Sequence, residues 1–84
     1  MNRAEISELM IEKVAEVLGV DQAEIGEQTD LGAEYAVDSL ELMEIGARLE
    51  RALGVRMQIE DLLDMRNVGH AVDLVTARIS ARPA

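Results

Sequence analysis

The sequence predicts an all-α protein, a small bundle of three longer helices and one short helix with a long loop between the first two. Three observations predict it. Apolar residues recur at helical spacing in three separate stretches, and each stretch opens on residues suited to capping a helix. The only run that alternates like a strand, Val55 to Ile59, has no second run to pair with. A chain of 84 residues is expected to fold as one domain over residues 1–84, with too little volume for both a large core and a deep catalytic cleft.

The first helix is expected from about Arg3 to Leu18. Asn2 and Glu5 can form a capping box, Gly19 ends the helix, and Ile6, Leu9, Met10, Val14, Val17 and Leu18 supply the inward stripe. From Val20 to Val37 the periodicity lapses and Asp21, Gly26, Thr29, Asp30 and Gly32 supply turn chemistry. Val20, Ile25, Leu31, Tyr35 and Val37 are spaced to pin this long loop across the helices.

The second helix should start at Ser39, with Asp38 as N-cap and Glu41 completing a capping box, and run to about Leu53, before Gly54. Leu42, Ile45, Leu49 and Leu53 share one side, while Leu40, Met43 and Ala47 form a shorter stripe on the other, interleaved with Glu41, Glu44 and Arg48. One stripe suffices for a small core. The second is expected to face outward near Ser39 as a docking strip rimmed by carboxylates. Beyond Gly54, residues Val55 to Ile59 read as an extended connector and Glu60 to Met65 as a single helical turn. Asn67 should cap a last helix that turns Val68, Ala71, Val72, Val75 and Ile79 inward. A frayed tail is expected over residues 80–84.

Composition then narrows function. Seventeen acidic residues against eight basic ones give a net charge of −9, which repels nucleic acid and anionic membrane and suits a basic protein partner. The acidity is concentrated: Glu27 to Asp64 holds ten carboxylates against Arg48, Arg51 and Arg56. Cysteine is absent, which excludes disulfides, thiolate metal sites and a cysteine nucleophile. With no apolar run of the roughly 20 residues a spanning helix needs, and no signal-peptide pattern at the start, a cytoplasmic protein is the default expectation.

Ser39 is the candidate working residue, held at the exposed start of a rigid helix. A serine hydrolase would need a base and an elbow around the serine; the sole histidine, His70, falls at the start of the last helix and no Gly-x-Ser-x-Gly surrounds Ser39. His70 reads as a solvated surface residue. Calcium binding would suit the acidity, but the Asp-rich loop it requires is missing. No metal ligands are assigned.

Asp38-Ser39-Leu40 at a helix start, in a small acidic helical chain, resembles the acyl carrier protein family. The likeness extends over nearly the whole chain through Leu31, Tyr35-Ala36-Val37, the Leu42, Ile45 and Leu49 stripe, Gly54-Val55 and Asn67-Val68-Gly69. The resemblance implies a four-helix bundle of acyl-carrier-protein type. It also implies that Ser39 receives 4′-phosphopantetheine from coenzyme A, through a phosphopantetheinyl transferase with magnesium. Acyl groups would then ride as thioesters on the thiol of that arm, which a cysteine-free chain must acquire from outside, and the chain itself would catalyse nothing.

Acyl-loading and condensing enzymes of fatty-acid or polyketide type, with basic docking surfaces, are the implied partners of a monomeric carrier. Asp38, Leu40, Glu41, Met43, Glu44, Ala47 and Arg48 are the expected docking residues. There are two departures from the family pattern: Tyr35-Ala36 stands where Leu-Gly is usual, and Gln58 where proline is common. A peptidyl or aminoacyl carrier, and a helical interaction module without a prosthetic group, remain alternatives.

Overall fold

Helix α1, Arg3–Leu18, begins where the Asn2 side chain accepts the Glu5 N–H at 2.9 Å and the Glu5 carboxylate accepts the Asn2 N–H at 3.0 Å, the expected capping box. It ends at Gly19, whose N–H donates to the Ala15 carbonyl at 2.8 Å and whose left-handed backbone (φ 70°) turns the Val20 N–H back to the same carbonyl at 3.1 Å. The computed structural model describes residues 1–58, 60–61 and 67–80. Among them, α1 is the central element, and both other long helices pack on it.

Its inward stripe is Ile6, Met10, Val14 and Ala15, all buried, with Val17 and Leu18 partly buried against them. Leu9, expected in this stripe, is only half-buried and borders a surface groove with Met1 and Glu5. At about 100° per residue it falls at the stripe's edge, and Ser7 occupies the inward position beside Ile6.

The stretch from Val20 to Val37 is not all loop. It contains a 3-10 turn, Gln22–Glu24, and a five-residue helix α2, Leu31–Tyr35, started by Asp30, whose side chain accepts the Ala33 N–H at 2.8 Å. Helix α2 was not expected from the sequence: five residues containing Gly32 are too short to show a periodicity. The apolar pins behave as expected, Ile25 and Leu31 buried in the core and Val20, Tyr35 and Val37 packed against it.

Helix α3, Ser39–Leu53, has the predicted bounds, closed by Gly54 (φ 66°) donating to the Glu50 carbonyl at 2.8 Å. It buries Ile45, Gly46 and Leu49, and Leu42 and Leu53 pack at the core's margin. The segment Val55 to Gln58 forms no strand. Val55 is buried, and the Glu50 carboxylate accepts the Met57 N–H at 2.7 Å, tying this connector to α3. Of the expected helical turn at Glu60 to Met65, Glu60 and Asp61 are helical; Leu62 to Met65 lie outside the described residues, as do Ile59 and the tail from Ala81.

Helix α4, Val68–Ser80, buries Val68, Ala71, Val72 and Val75, with Ile79 partly buried. Asn67 caps it, its side chain accepting the His70 N–H at 2.7 Å. The two preceding amides are satisfied by the long loop: Val68 donates to the Thr29 carbonyl at 3.2 Å and Gly69 to the Glu27 carbonyl at 2.8 Å. Glycine suits this crossing, because a Cβ on residue 69 would stand 3.0 Å from that same carbonyl oxygen, a tighter contact than side chains usually make. The one strand-like pairing among the described residues is an isolated antiparallel bridge between Asp30 and Asn67.

Glu27 completes the junction. Its carboxylate accepts two N–H groups of Arg3, at 2.8 and 3.1 Å, and the hydroxyl of buried Ser7 at 2.8 Å, while Arg3 Nε also reaches Asp73 on α4 at 2.9 Å. Arg3, more than Ser7, holds the Glu27 carboxyl below its ordinary pKa, and Glu27 then Asp73 push the Arg3 guanidinium up. One loop residue thereby joins α1, α4 and the segment that leads to α2.

Candidate functional site

The lead-in to Ser39 is three residues long, Ala36 to Asp38, so its geometry follows from the end of α2. Ala36 caps that helix in the left-handed region (φ 51°), and its N–H and that of Val37 both converge on the Leu31 carbonyl. The Asp38 backbone is extended (φ −94°, ψ 178°). Its carboxylate accepts the Glu41 N–H at 2.8 Å, and the Glu41 carboxylate accepts the Asp38 N–H at 3.2 Å. This is the capping box expected from Asp38 and Glu41, and it fixes Ser39 as the first residue of α3.

Ser39 is exposed. Among the described residues no side chain hydrogen-bonds to its hydroxyl, and His70 is exposed at the start of a different helix. A group attached to Ser39 would extend into solvent from a helix N-terminus, where the first amides and the helix dipole favour a phosphate. The other hydroxyls are placed differently. Ser7 is buried against Glu27, Thr29 is buried and accepts the Gly26 N–H, and Thr76 donates to the Val72 carbonyl. Ser80 is exposed, but at the far end of α4. The residues around Ser39 fit a covalently tethered phosphate ester: an accessible hydroxyl, no described side chain hydrogen-bonded to it, and neighbouring carboxylates of Asp38 and Glu41 that are engaged in the cap.

Beside Ser39, two of the three residues of the second stripe, Leu40 and Met43, face outward. Leu40 is 75% exposed and Met43 48%, while Ala47 is half-buried. Glu41 is half-buried within the cap, and Glu44 is exposed. Arg48 is engaged within the molecule. Its guanidinium donates to Glu44 at 3.0 Å and to Glu16 on α1 at 2.9 Å, and these carboxylates, Glu44 first, raise its pKa. Arg48 therefore braces α3 against α1.

Arg51, counted above only among the cations of the Glu27–Asp64 segment, is exposed one turn beyond Ala47 and on the same side of α3. Its spacing of four from Ala47 was the available signal. Among the described residues no group of three or more His, Asp or Glu side chains is arranged to hold a metal ion, and no helix is long and apolar enough to cross a membrane.

Comparison with known proteins agrees with this geometry. The family model described as "Phosphopantetheine attachment site" matches residues 8–75. The chain is 34% identical to an acyl carrier protein of Saccharopolyspora erythraea, over 100% of this chain and 92% of that protein. It is 35% identical to the polyketide-8 synthase acyl carrier protein 2 of Streptomyces avermitilis, over 86% of this chain and 83% of that one. With an acyl carrier protein of Rubrobacter xylanophilus it shares 33% identity over 96% of this chain and 100% of the other. A helical fold, a free serine at a capped helix start and a family match across most of the chain lead to one conclusion: this protein belongs to the acyl carrier protein family, whose cofactor is covalently attached 4′-phosphopantetheine.

Proposed function

We propose that Ser39 is the attachment residue, and that the chain carries acyl intermediates of fatty-acid or polyketide type as thioesters on the arm it bears there. The observation that carries this reading is the exposure of Ser39 at the first position of a helix held by a reciprocal cap. In loading, the Ser39 oxygen forms the new phosphoester bond and displaces the adenosine bisphosphate half of coenzyme A, its proton passing to a base on the transferase. Among the described residues no side chain engages the Ser39 hydroxyl, so the chemistry is assigned to the arm and to visiting enzymes. Asp38, Leu40, Glu41, Met43, Glu44 and Ala47 form the surface those enzymes dock on as they reach Ser39. Arg48 enters that surface only as a brace for Glu44. A monomer suffices, because nothing in this reading requires a second copy.

Intact-mass measurement after incubation with coenzyme A, magnesium and a phosphopantetheinyl transferase tests the assignment. One arm should be added, fragmentation should place it on Ser39, and Ser39→Ala should melt as the parent does and stay unmodified. An arm found on Ser80, or on Ser7 after local opening of α1, would overturn it. The purified chain should also show no esterase activity. Hydrolysis lost in both Ser39→Ala and His70→Ala would restore a hydrolase.

A further inference from the structure

The outward face of α3 changes sign along its length. Asp38, Glu41 and Glu44 surround its first turns with no cation among them until Arg48. At the other end, a shallow groove of about 450 Å³ between α1 and α3 is lined by Lys13, Arg48 and Arg51 with Glu16, Glu44 and Ala52. Three of the eight cations of a chain with a net charge of −9 thus meet in one groove. They are not equally engaged. Arg48 is held at 2.9 and 3.0 Å by Glu16 and Glu44. Lys13 reaches Glu16 and Glu12 only at 3.5 and 3.7 Å. Arg51 is exposed and makes no ion pair among the described residues.

Helical geometry puts Arg51 in line with the apolar strip. At about 100° per residue it lies within roughly 20° of Leu40 and 40° of Ala47, about three turns below Leu40. A cation in the last turn also complements the helix dipole, which accounts for Arg51 by itself. It does not account for Lys13, which comes from α1 to the same groove.

We propose that the docking surface is bipolar. A partner that covers α3 places basic side chains against Glu41 and Glu44, apolar ones against Leu40 and Met43, and carboxylates against Arg51 and Lys13. This rests on the docking role given above to the Leu40–Met43 strip and adds to it the chemistry of the partner's far edge. Charge complementarity favours that occupant: a uniformly basic surface laid along α3 would bring like charges against Arg51, whereas a two-signed surface is attracted at both ends. The two signs also fix orientation. A partner docked the wrong way round would meet repulsion at both ends, so its active site would be directed to Ser39 in one sense only.

The test uses the full chain, loaded with its arm, and the condensing enzyme that extends its thioester, with association followed by stopped flow across a salt series. The double variant Arg51→Glu/Lys13→Glu is more acidic than its parent. Steering by net charge alone therefore predicts faster association with a basic partner. A bipolar face predicts the opposite, association slowed about tenfold at low salt and recovering as salt screens the edge. Arg56→Glu, an exposed cation outside the groove, is the control and should not slow association. Reversing a facing carboxylate of the enzyme to Lys should restore the rate with the double variant. Unchanged or faster association of the double variant, with Glu41→Lys/Glu44→Lys still slowed, overturns the bipolar surface and leaves the docking strip standing. If Glu41→Lys/Glu44→Lys and Leu40→Ala also associate as the parent does, the docking strip itself is overturned.

Discussion

Among the described residues, Ala36 is the one non-glycine residue with a left-handed backbone. At φ 51° its Cβ crowds the backbone, a cost of roughly 1 kcal/mol that glycine avoids. Its side chain is exposed and has no packing to lose. Ala36→Gly should therefore raise stability, by about 0.5–1 kcal/mol in a urea titration, despite the extra freedom glycine gives the unfolded chain. A lower midpoint would mean that the left-handed cap is not held in solution. Gly69→Ala should do the reverse. Its new Cβ would meet the Glu27 carbonyl oxygen at 3.0 Å, an atom of the backbone that cannot swing aside, so about 1–3 kcal/mol should be lost. The two positions differ in how far the sequence announces them. Tyr35-Ala36 stands out only as a departure from the family pattern, and nothing in the letters states that Ala36 must be left-handed. Gly69 looks like an ordinary residue early in a helix until the loop is seen to cross it. Ser39 is legible because its signal is local: Asp38 and Glu41 bracket it within four residues, and the cap they form needs no tertiary contact.

The same division holds for elements. Helices α1, α3 and α4 are readable because each has a cap and an apolar stripe that survive without tertiary context. Helix α2 exists through the Asp30 cap and the burial of Leu31, and burial is a property of the packed molecule. The junction that orders the long loop is harder still to foresee, since Arg3 and Glu27 are 24 residues apart and Arg3 and Asp73 are 70 apart. That junction has a consequence in pH. Because the folded Glu27 carboxyl is held below its ordinary value near 4.5, chiefly by Arg3 and then by Ser7, its ionised form stabilises the fold above the unfolded pKa. The stabilisation is lost as pH falls through the lower folded value. Glu27→Gln should consequently melt below the parent at pH 7, with a gap that narrows steadily below about pH 4.5. Ser7→Ala should lower the melting temperature at pH 7 while leaving the arm's attachment intact. A Glu27→Gln gap as wide at pH 3 as at pH 7 would show that the carboxylate's charge is not what holds the loop.

Across the whole molecule, the two apolar stripes of α3 give opposite expectations for chemically similar changes. Leu49 is 1% exposed in the core, and truncating it to Ala should cost about 2–5 kcal/mol of stability. Met43, at 48% exposure, has little burial to lose in the free chain, so Met43→Ala should melt close to the parent while weakening partner binding. Charge separates along the same geometry. Glu41 and Glu44 flank Ser39, whereas Glu8 and Glu12 lie on α1, so reversing either pair to Lys changes the net charge equally but alters different fields. The Debye length is about 10 Å at 0.1 M salt, so an exposed charge much farther than that from the approach path contributes little. Reversal of Glu41 and Glu44 should therefore slow modification of Ser39 by the transferase at low salt, and the difference should shrink as salt rises, because rim charges act mainly on the association rate. The Glu8 and Glu12 pair should have a much smaller effect. Transferase kinetics on both double variants across a salt series, with thermal melts in parallel, decide the matter. Equal slowing by the two pairs would make net charge the operative quantity, and a Met43→Ala melt as depressed as that of Leu49→Ala would reverse the assignment of the two faces.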